Sequence, residues 1–402
     1  MPRARAVLSL RGRSGVTGRP VRLQVDAGHI TALDEVDDGP PLWLLPGLVD
    51  IQVNGYAGAD VNGADVQAST IVSMVEALWA RGTTTVFPTV VTGSQQAMQR
   101  SLRAVARARA VSPLVAHSIP RVHVEGPCIS AEDGPRGAHA PEHIRPPSPE
   151  EFGDWQEACE HIVGVVTLAP ELRGALSYIG QLARLGVVVA IGHTAARPDE
   201  IRAAVEAGAT LSTHLGNGSH AMLARLDNYV WEQLGEDRLW ASFIFDGHHL
   251  PPPVMRSMVR AKGVERSVLV SDAVSLAGAA PGTYSSAVGG TVQLHRDGRL
   301  EVLGTGYLAG STSDLLAGVG NAVRMAGLDL ATALRLATAN PARLTGLDGH
   351  GARGFLEPGA SADVAVVSWP SEGAAPVVVA TLVAGRVVYR DETAADLAAC
   401  LG

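Results

Sequence analysis

The sequence predicts an α/β protein: a (β/α)8 barrel, with a small β-rich unit that the two ends of the chain build together. Three observations predict it. Eight short apolar runs recur between Leu48 and Ser271, each followed by a helical pattern or a loop. With its last helices this alternation fills about 290 residues, near the roughly 250 typical of such a barrel. Segments at both ends alternate apolar and polar positions around Gly and Asp turns, as small antiparallel strands do. A doubly wound open sheet competes with this reading, but no GxGxxG or GxxxxGK(S/T) loop supports its usual nucleotide site.

Taken in order, Ala6 to Ile30 reads as short antiparallel strands. The eight barrel strands are read at Leu48–Val53, Thr83–Thr89, Arg121–Glu125, Gly164–Thr167, Val187–Ile191, Leu211–His214, Trp240–Ile244 and Ser267–Ser271. Ile71, Met74, Val75 and Leu78 make one apolar stripe, which predicts a helix between Val66 and Arg81. Pro198 opens a second helix that runs to Ala207, and Gly208 stops it. Pro- and Gly-rich Gly134–Pro149 and then Ala277–Gly290 read as the mobile loops. Strands return at Asp363–Val367, Val377–Val383 and, after the Ala384-Gly385 turn, Arg386–Tyr389. The division is residues 1–46 and 346–402 for the β-rich unit and 47–345 for the barrel.

Composition narrows the function. The chain has 402 residues, 46% of them hydrophobic and 18% charged, which supplies a large core and excludes disorder, coiled coil and collagen. A net charge of −8 argues against a nucleic-acid partner. Arginine carries nearly all the positive charge, because lysine occurs once, at Lys262. Cys128, Cys159 and Cys400 are far apart and odd in number, which fits a reduced, cytoplasmic protein. The apolar stretch Ala6–Leu10 is too short for a signal peptide. No apolar run approaches the roughly 20 residues that cross a bilayer, so no membrane partner is expected.

The chemistry lies at the C-terminal ends of the proposed strands, the face on which barrels carry their active sites. Strand three ends His123-Val124-Glu125, with His123 and Glu125 on one face by alternation. Strand five ends at His193, strand six at His214 and strand eight at Asp272. One carboxylate and two imidazoles would give a metal three ligands and leave a position for water, the catalytic pattern. Asp272 would then serve as general acid and base. Taken singly, each residue also reads as a core histidine, a loop cap or a helix cap; together, at the tips of four strands, they point to a metal site.

At these residues the chain resembles the N-acetylglucosamine-6-phosphate deacetylases of the amidohydrolase superfamily. The resemblance rests on Pro46-Gly47-Leu48-Val49-Asp50-Ile51-Gln52-Val53-Asn54-Gly55, on Gly82-Thr83-Thr84-Thr85 and on His123-Val124-Glu125-Gly126-Pro127. It continues through Gly137-Ala138-His139, Gly192-His193-Thr194, Thr213-His214-Leu215, Asp246-Gly247-His248-His249, Ser271-Asp272-Ala273 and Leu308-Ala309-Gly310-Ser311. It implies a TIM-like metal-dependent hydrolase barrel with a small β-sandwich formed by both termini. Where most of the superfamily has His-x-His on the first strand, this chain has Gln52 and Asn54. Amides are poor transition-metal ligands beside imidazole, so one divalent ion is expected, held by Glu125, His193 and His214. Zinc is the first expectation, and iron, manganese or cobalt suit the same donors.

The resemblance further implies that His139 polarises the acetyl carbonyl. Asp272 would activate a water held by the metal and then protonate the departing amine. Ala138, Asn217, Gly218, Leu308, Ala309 and Gly310 match positions around the sugar, and Arg225 and His249 match the residues that grip the 6-phosphate. A homodimer is implied with them. The chain departs from the family at the distal end of the pocket. Gly216-Asn217-Gly218-Ser219-His220 stands where the family has Tyr-Asn-Ala-Met, and Leu226-Asp227-Asn228 follows the arginine in place of Glu-Pro-Gly. The expected reaction is therefore hydrolysis of N-acetylglucosamine 6-phosphate to glucosamine 6-phosphate and acetate. The alternatives are the same amide chemistry on an unphosphorylated N-acyl amino sugar, an N-acyl amino acid or a cyclic amide. A non-catalytic binding protein is disfavoured, because Glu125, His193, His214 and Asp272 are all present.

Overall fold

The computed structural model describes residues 8–371, 373–394 and 396–401. Ala6 and Val7 of the first predicted strand, with the rest of residues 1–7, lie outside the described residues. The chain begins as an antiparallel meander, β1 (Leu8–Ser14), β2 (Pro20–Asp26) and β3 (His29–Glu35). It returns as β4 (Trp43–Pro46), parallel to β1, and runs directly into the barrel.

The barrel strands are β5 (Leu48–Val53), β6 (Thr83–Val91), β7 (Val122–Glu125), β8 (Val163–Leu168), β9 (Val188–Ile191), β10 (Leu211–Ser212), β11 (Trp240–Ile244) and β12 (Ser267–Val270). They lie in sequence order in one eight-stranded sheet. Its ends meet through Asp272 N donating to Gln52 O at 3.0 Å, Asn54 N donating to Ala273 O at 2.8 Å and a parallel bridge between Val53 and Ala273. Every residue of β5, β6, β7 and β8 is buried, as expected of parallel strands covered on both faces. Val49, Ile51, Phe87, Val165, Ala190, Leu211, Ile244, Val268 and Val270 form one cluster among themselves. The barrel interior is thus packed with side chains, and function is left to its rims.

The helices form where spacing and caps dictate. Ala68–Trp79 buries Ile71, Met74, Val75, Leu78 and Trp79. Pro198–Ala207 begins with proline in its first turn and stops at Gly208, whose φ of 119° suits glycine. The next segment departs from expectation. Ala277–Gly290, read from sequence as a loop, contains β13 (Gly282–Ser286), which pairs antiparallel with β14 (Gly290–Leu294), itself paired with β15 (Leu300–Val302). The Ser, Thr and Gly residues of β13 alternate between exposed and half-buried positions, so no apolar alternation announces the strand.

The C-terminal strands β16 (Val364–Ser368), β17 (Val377–Val383) and β18 (Arg386–Arg390) join the N-terminal meander in one seven-stranded sheet, β18-β17-β16-β4-β1-β2-β3. Asp363 pins this sheet to the start of the barrel. Its carbonyl accepts from Gly47 N at 2.8 Å, and its carboxylate accepts from Ala384 N at 2.7 Å and contacts His117 Nε2 at 3.0 and 2.9 Å. Burial alone would raise the Asp363 pKa, but the His117 contact outweighs it and holds the carboxyl below its ordinary value. Arg353 stands beside the pair, donating to the His117 carbonyl.

Lys262, 8% exposed, donates to Gln233 O at 2.9 Å and Glu236 O at 2.7 Å, and burial pushes its ammonium down to about 8. The three cysteines are buried and unpaired. Among the described residues, no helix is long and apolar enough to cross a membrane.

Candidate active site

Glu125 is the last residue of β7, while His193, His214 and Asp272 each follow their strands by two residues. The chain turns sharply at these tips. His193, His214 and Asp272 have φ of 51°, 29° and 50°, so three of the eight non-glycine residues with positive φ among the described residues stand at this one rim. Such a conformation costs about 1–3 kcal/mol per residue and persists only where the surroundings over-determine it. Strain is therefore concentrated where side chains are aimed inward.

The side chains converge on one carboxylate oxygen. Glu125 Oε1 lies 2.9 Å from His214 Nε2, 3.3 Å from His193 Nε2 and 3.0 Å from Gln52 Nε2. Donor atoms of Glu125, His193 and His214 all lie within 4.8 Å of one another, and all three residues are buried. Burial alone would raise Glu125, but the neighbouring His193 and His214 imidazoles outweigh it and hold the carboxyl well below its ordinary range. Burial alone would likewise lower His214, yet the Glu125 carboxylate raises it.

These residues fit a divalent ion. His193 Nδ1 is 2.8 Å from the Pro135 carbonyl, which only accepts, so its proton sits on Nδ1 and the Nε2 lone pair faces Glu125. His214 Nδ1 is buried without a partner, and Asn217 instead ties down the backbone, its Nδ2 donating to His214 O at 3.2 Å. Two nitrogens and one carboxylate, gathered where solvent is excluded, are the donor set of a three-ligand catalytic centre.

Asp272 stands across from them. Its Oδ1 accepts from Asn54 Nδ2 at 2.7 Å and from Gln52 Nε2 at 3.2 Å. Burial, with the nearby Glu125 charge, pushes its pKa up to about 6. His139 closes the group, its Nδ1 2.9 Å from Thr92 Oγ1 and its Nε2 3.2 Å from His193 Nε2. Burial, then the charge of His193, brings His139 down to about 3, so it is neutral at physiological pH.

All five line a cavity of about 210 Å³. Ala138, Asn217, Gly218, His249, Leu308 and Gly310 line it too. His249 Nδ1 is 2.7 Å from Asp246 Oδ2; burial alone would raise Asp246, but this contact brings it down to about 2. At Gly218, with φ of 55°, an added Cβ would lie 2.6 Å from His193 Nδ1, and at Gly310 one would lie 2.5 Å from Val274 Cγ1. At both, only glycine fits.

Two residues matched to the sugar or phosphate do not reach the cavity. Ala309 is fully buried and packs with Val292, Leu294 and Leu300 beneath it. Arg225 lies on the exposed segment 221–227, because β10 has ended and the chain bulges outward before the next helix. His123, placed on the same face as Glu125 by alternation, is consumed inside the barrel, with Nδ1 3.0 Å from Ile51 O and Nε2 2.7 Å from Thr167 Oγ1. Sequence reasoning missed Thr92 and Tyr307. Thr92 directly follows β6 without a motif of its own, and Tyr307, which lines the cavity and donates to Asp133 at 2.9 Å, follows a sheet that carried no signal.

Comparison with known proteins agrees with this geometry. The Amidohydrolase family matches residues 43–388. N-acetylgalactosamine-6-phosphate deacetylase of Escherichia coli O157:H7 is 33% identical over 348 residues, 85% of this chain and 89% of that one. N-acetylglucosamine-6-phosphate deacetylase of Bos taurus is 33% identical over 373 residues, 90% and 87% of the two chains. A mutant N-acetyl-D-glucosamine-6-phosphate deacetylase from Mycobacterium smegmatis, solved in complex with N-acetyl-D-glucosamine-6-phosphate, superposes with a TM-score of 0.83 at 30% identity, covering 94% of this chain and 99% of that one. Barrel, rim chemistry and full-length similarity coincide, and the chain belongs to the amidohydrolase family, in the branch of the N-acetylglucosamine-6-phosphate deacetylases.

Proposed function

We propose that this protein hydrolyses the N-acetyl amide of N-acetylglucosamine 6-phosphate to acetate and glucosamine 6-phosphate. The observation that carries the reading is the convergence of Glu125, His193 and His214 on one point of the rim, opposite Asp272. These three residues hold the divalent ion, with zinc preferred and iron, manganese or cobalt as substitutes. When bound, such an ion polarises a carbonyl and lowers the pKa of water towards about 7.

The remaining work falls to the chain. Asp272 Oδ1 is occupied by the Gln52 and Asn54 amides, which leaves Oδ2 as the oxygen that takes a proton from water and returns it to the leaving nitrogen. With its pKa raised to about 6, Asp272 is ionised at neutral pH yet more basic than an exposed carboxylate. Thr92 Oγ1 meets His139 Nδ1 at 2.9 Å and orients the ring, and with its proton on Nε2 His139 donates to the acetyl oxygen as negative charge develops there. Ala138, Asn217, Gly218, Leu308 and Gly310 surround the sugar, with Ala309 supporting them from beneath, and His249 faces the distal group. Residues 47–345 act as the catalytic barrel, with 1–46 and 346–402 as the supporting β-domain.

No lysine or arginine lines the cavity of one copy among the described residues. Arg225 instead sits outside it with Met222, Leu226 and Trp231, which are 88%, 78% and 54% exposed. Apolar side chains gathered at the surface in this way mark a contact site, and a homodimer that covers them brings a phosphate-binding arginine to the partner's cavity. The buried, unpaired cysteines support a cytoplasmic location. The arginine-free cavity also favours a second reading, an unphosphorylated N-acetyl amino sugar.

Acetate release by metal-loaded protein, measured side by side on N-acetylglucosamine 6-phosphate, N-acetylgalactosamine 6-phosphate and N-acetylglucosamine, separates these readings. Preference for a phosphorylated sugar supports the first, and preference for N-acetylglucosamine supports the second. Turnover of none of them by metal-replete protein overturns both.

A further inference from the structure

A second cleft, of about 500 Å³, lies behind the wall of the catalytic cavity. Val91 lines both spaces, and Thr92, which lines the cleft, is the residue whose hydroxyl meets His139. The first two turns of the helix Gln95–Val111 form one side of the cleft, and Ser285 and Ser286 of β13 form another.

Arg100, on that helix, is the residue with an unmet need. It lines the cleft, and its Nε is fully buried without a hydrogen-bond partner. Arg100 as a whole is half-buried, and no carboxylate stands within ion-pairing distance of its guanidinium among the described residues. The surroundings add positive character. The helix has 17 residues and no acidic residue in its first turn, so the partial positive charge at its N-terminus is not offset. His143 also faces the cleft. One carboxylate lines the opposite side, Asp60, but it is already engaged: Oδ1 accepts from Asn62 N at 2.8 Å and Oδ2 from Ser275 Oγ at 3.4 Å. Burial shifts Asp60 towards its neutral form.

We propose that this cleft binds a small oxyanion, a phosphate- or carboxylate-bearing molecule, on the Arg100 guanidinium against the back of Thr92. The site is separate from the catalytic cavity and does not depend on which sugar is hydrolysed there. Its occupant lies one residue from the hydroxyl that orients His139, so occupancy bears on the side of the cavity that receives the acyl group.

Titration calorimetry tests the proposal on the full-length, metal-loaded protein, with inorganic phosphate in one series and acetate in another. Two variants accompany it. Arg100→Gln removes the cation, and Ala97→Glu places a carboxylate one helical turn before Arg100, on the wall of the cleft, as an internal competitor. The wild-type protein is expected to bind one anion more than either variant, or to bind that anion at least tenfold more tightly. Any anion taken up in the catalytic cavity is counted equally in all three proteins, so the difference reports the cleft alone. Phosphate and acetate identify the source by which of them shows the difference. Should Arg100→Gln fold poorly, Ala97→Glu still decides the matter. Equal stoichiometry and affinity in wild type and Ala97→Glu, for both anions, overturns the proposal.

Discussion

Two buried carboxylates with histidine partners stand at opposite ends of the barrel, and they differ in how fully they are satisfied. At the junction with the terminal sheet, both Asp363 oxygens meet His117 Nε2, Ala384 N donates to one of them, and Arg353 stands alongside. At the rim, two imidazoles and an amide crowd one oxygen of Glu125, and His214 Nδ1 has no partner. At the junction one capping residue, Ala384, sits at positive φ in a turn, whereas at the rim three of the converging side chains themselves, His193, His214 and Asp272, are held at positive φ. A closed network of this kind fastens two sheets together. An open one, held under strain beside a cavity, retains valences for something else.

The largest expected effect breaks the symmetry outright. Asp272→Asn should lower kcat by about 10²–10⁴, the usual contribution of a general acid or base. The fold should survive, because a carboxyl whose pKa is raised to about 6 by burial destabilises the folded state once ionised. A deacetylation assay paired with a thermal melt checks both halves, and a melt lowered in step with activity would place Asp272 in the structural class.

Asp363→Ala should do the reverse. Removing one partner of a buried pair costs about 3–5 kcal/mol, and metal content should stay unchanged in whatever fraction folds. Chemical denaturation and elemental analysis together read this out. Loss of metal from the folded fraction would dissolve the distinction between the two ends.

Gly218→Ala is subtler, acting on a ligand it does not replace. A Cβ 2.6 Å from His193 Nδ1 must displace that ring from the Pro135 carbonyl, so metal affinity should fall by about tenfold, in line with the loss of an outer partner. Unchanged affinity in a chelator competition would show that the ring yields without consequence.

The last effect is in pH. Asp50, whose Oδ2 is buried without a partner, is pushed up to about 7 by burial from the ordinary 3.8. Between those values the folded state binds more protons than the unfolded one, so stability falls as pH rises through that window. Asp363, held low, has the opposite sign: its contribution is present above the ordinary carboxylate pKa and is lost as pH falls below it. Asp50→Asn should therefore flatten the decline between pH about 4 and 7 and leave the acid limb intact. An unaltered slope would show that Asp50 titrates normally.

Much of this contrast was legible beforehand. Leu48–Val53 and Trp240–Ile244 form as predicted to the residue, because continuous apolar runs bounded by turns have few other uses in an α/β chain. Pro198–Ala207 does so because proline and glycine mark its ends. Glu125, His193, His214 and Asp272 converge because strand tips in a barrel share one rim. What escaped prediction depends on partners distant in sequence. Nothing near Thr92 announces His139, and nothing in Asp363 announces His117, 246 positions away. Arg225 matched a phosphate-gripping residue along the sequence, but a position along a loop does not fix the direction of its bulge.

Lys262 carries one more consequence. As the sole lysine, engaged by two carbonyls and shielded from solvent, it leaves the folded surface without a side-chain amine. Acylating reagents can reach that nitrogen only when the helix Pro252–Lys262 opens, so the fraction acylated at this position over time is a single-residue clock for unfolding. An enzyme that frees amines from their acyl groups thus keeps its own lysine amine out of reach of acylation.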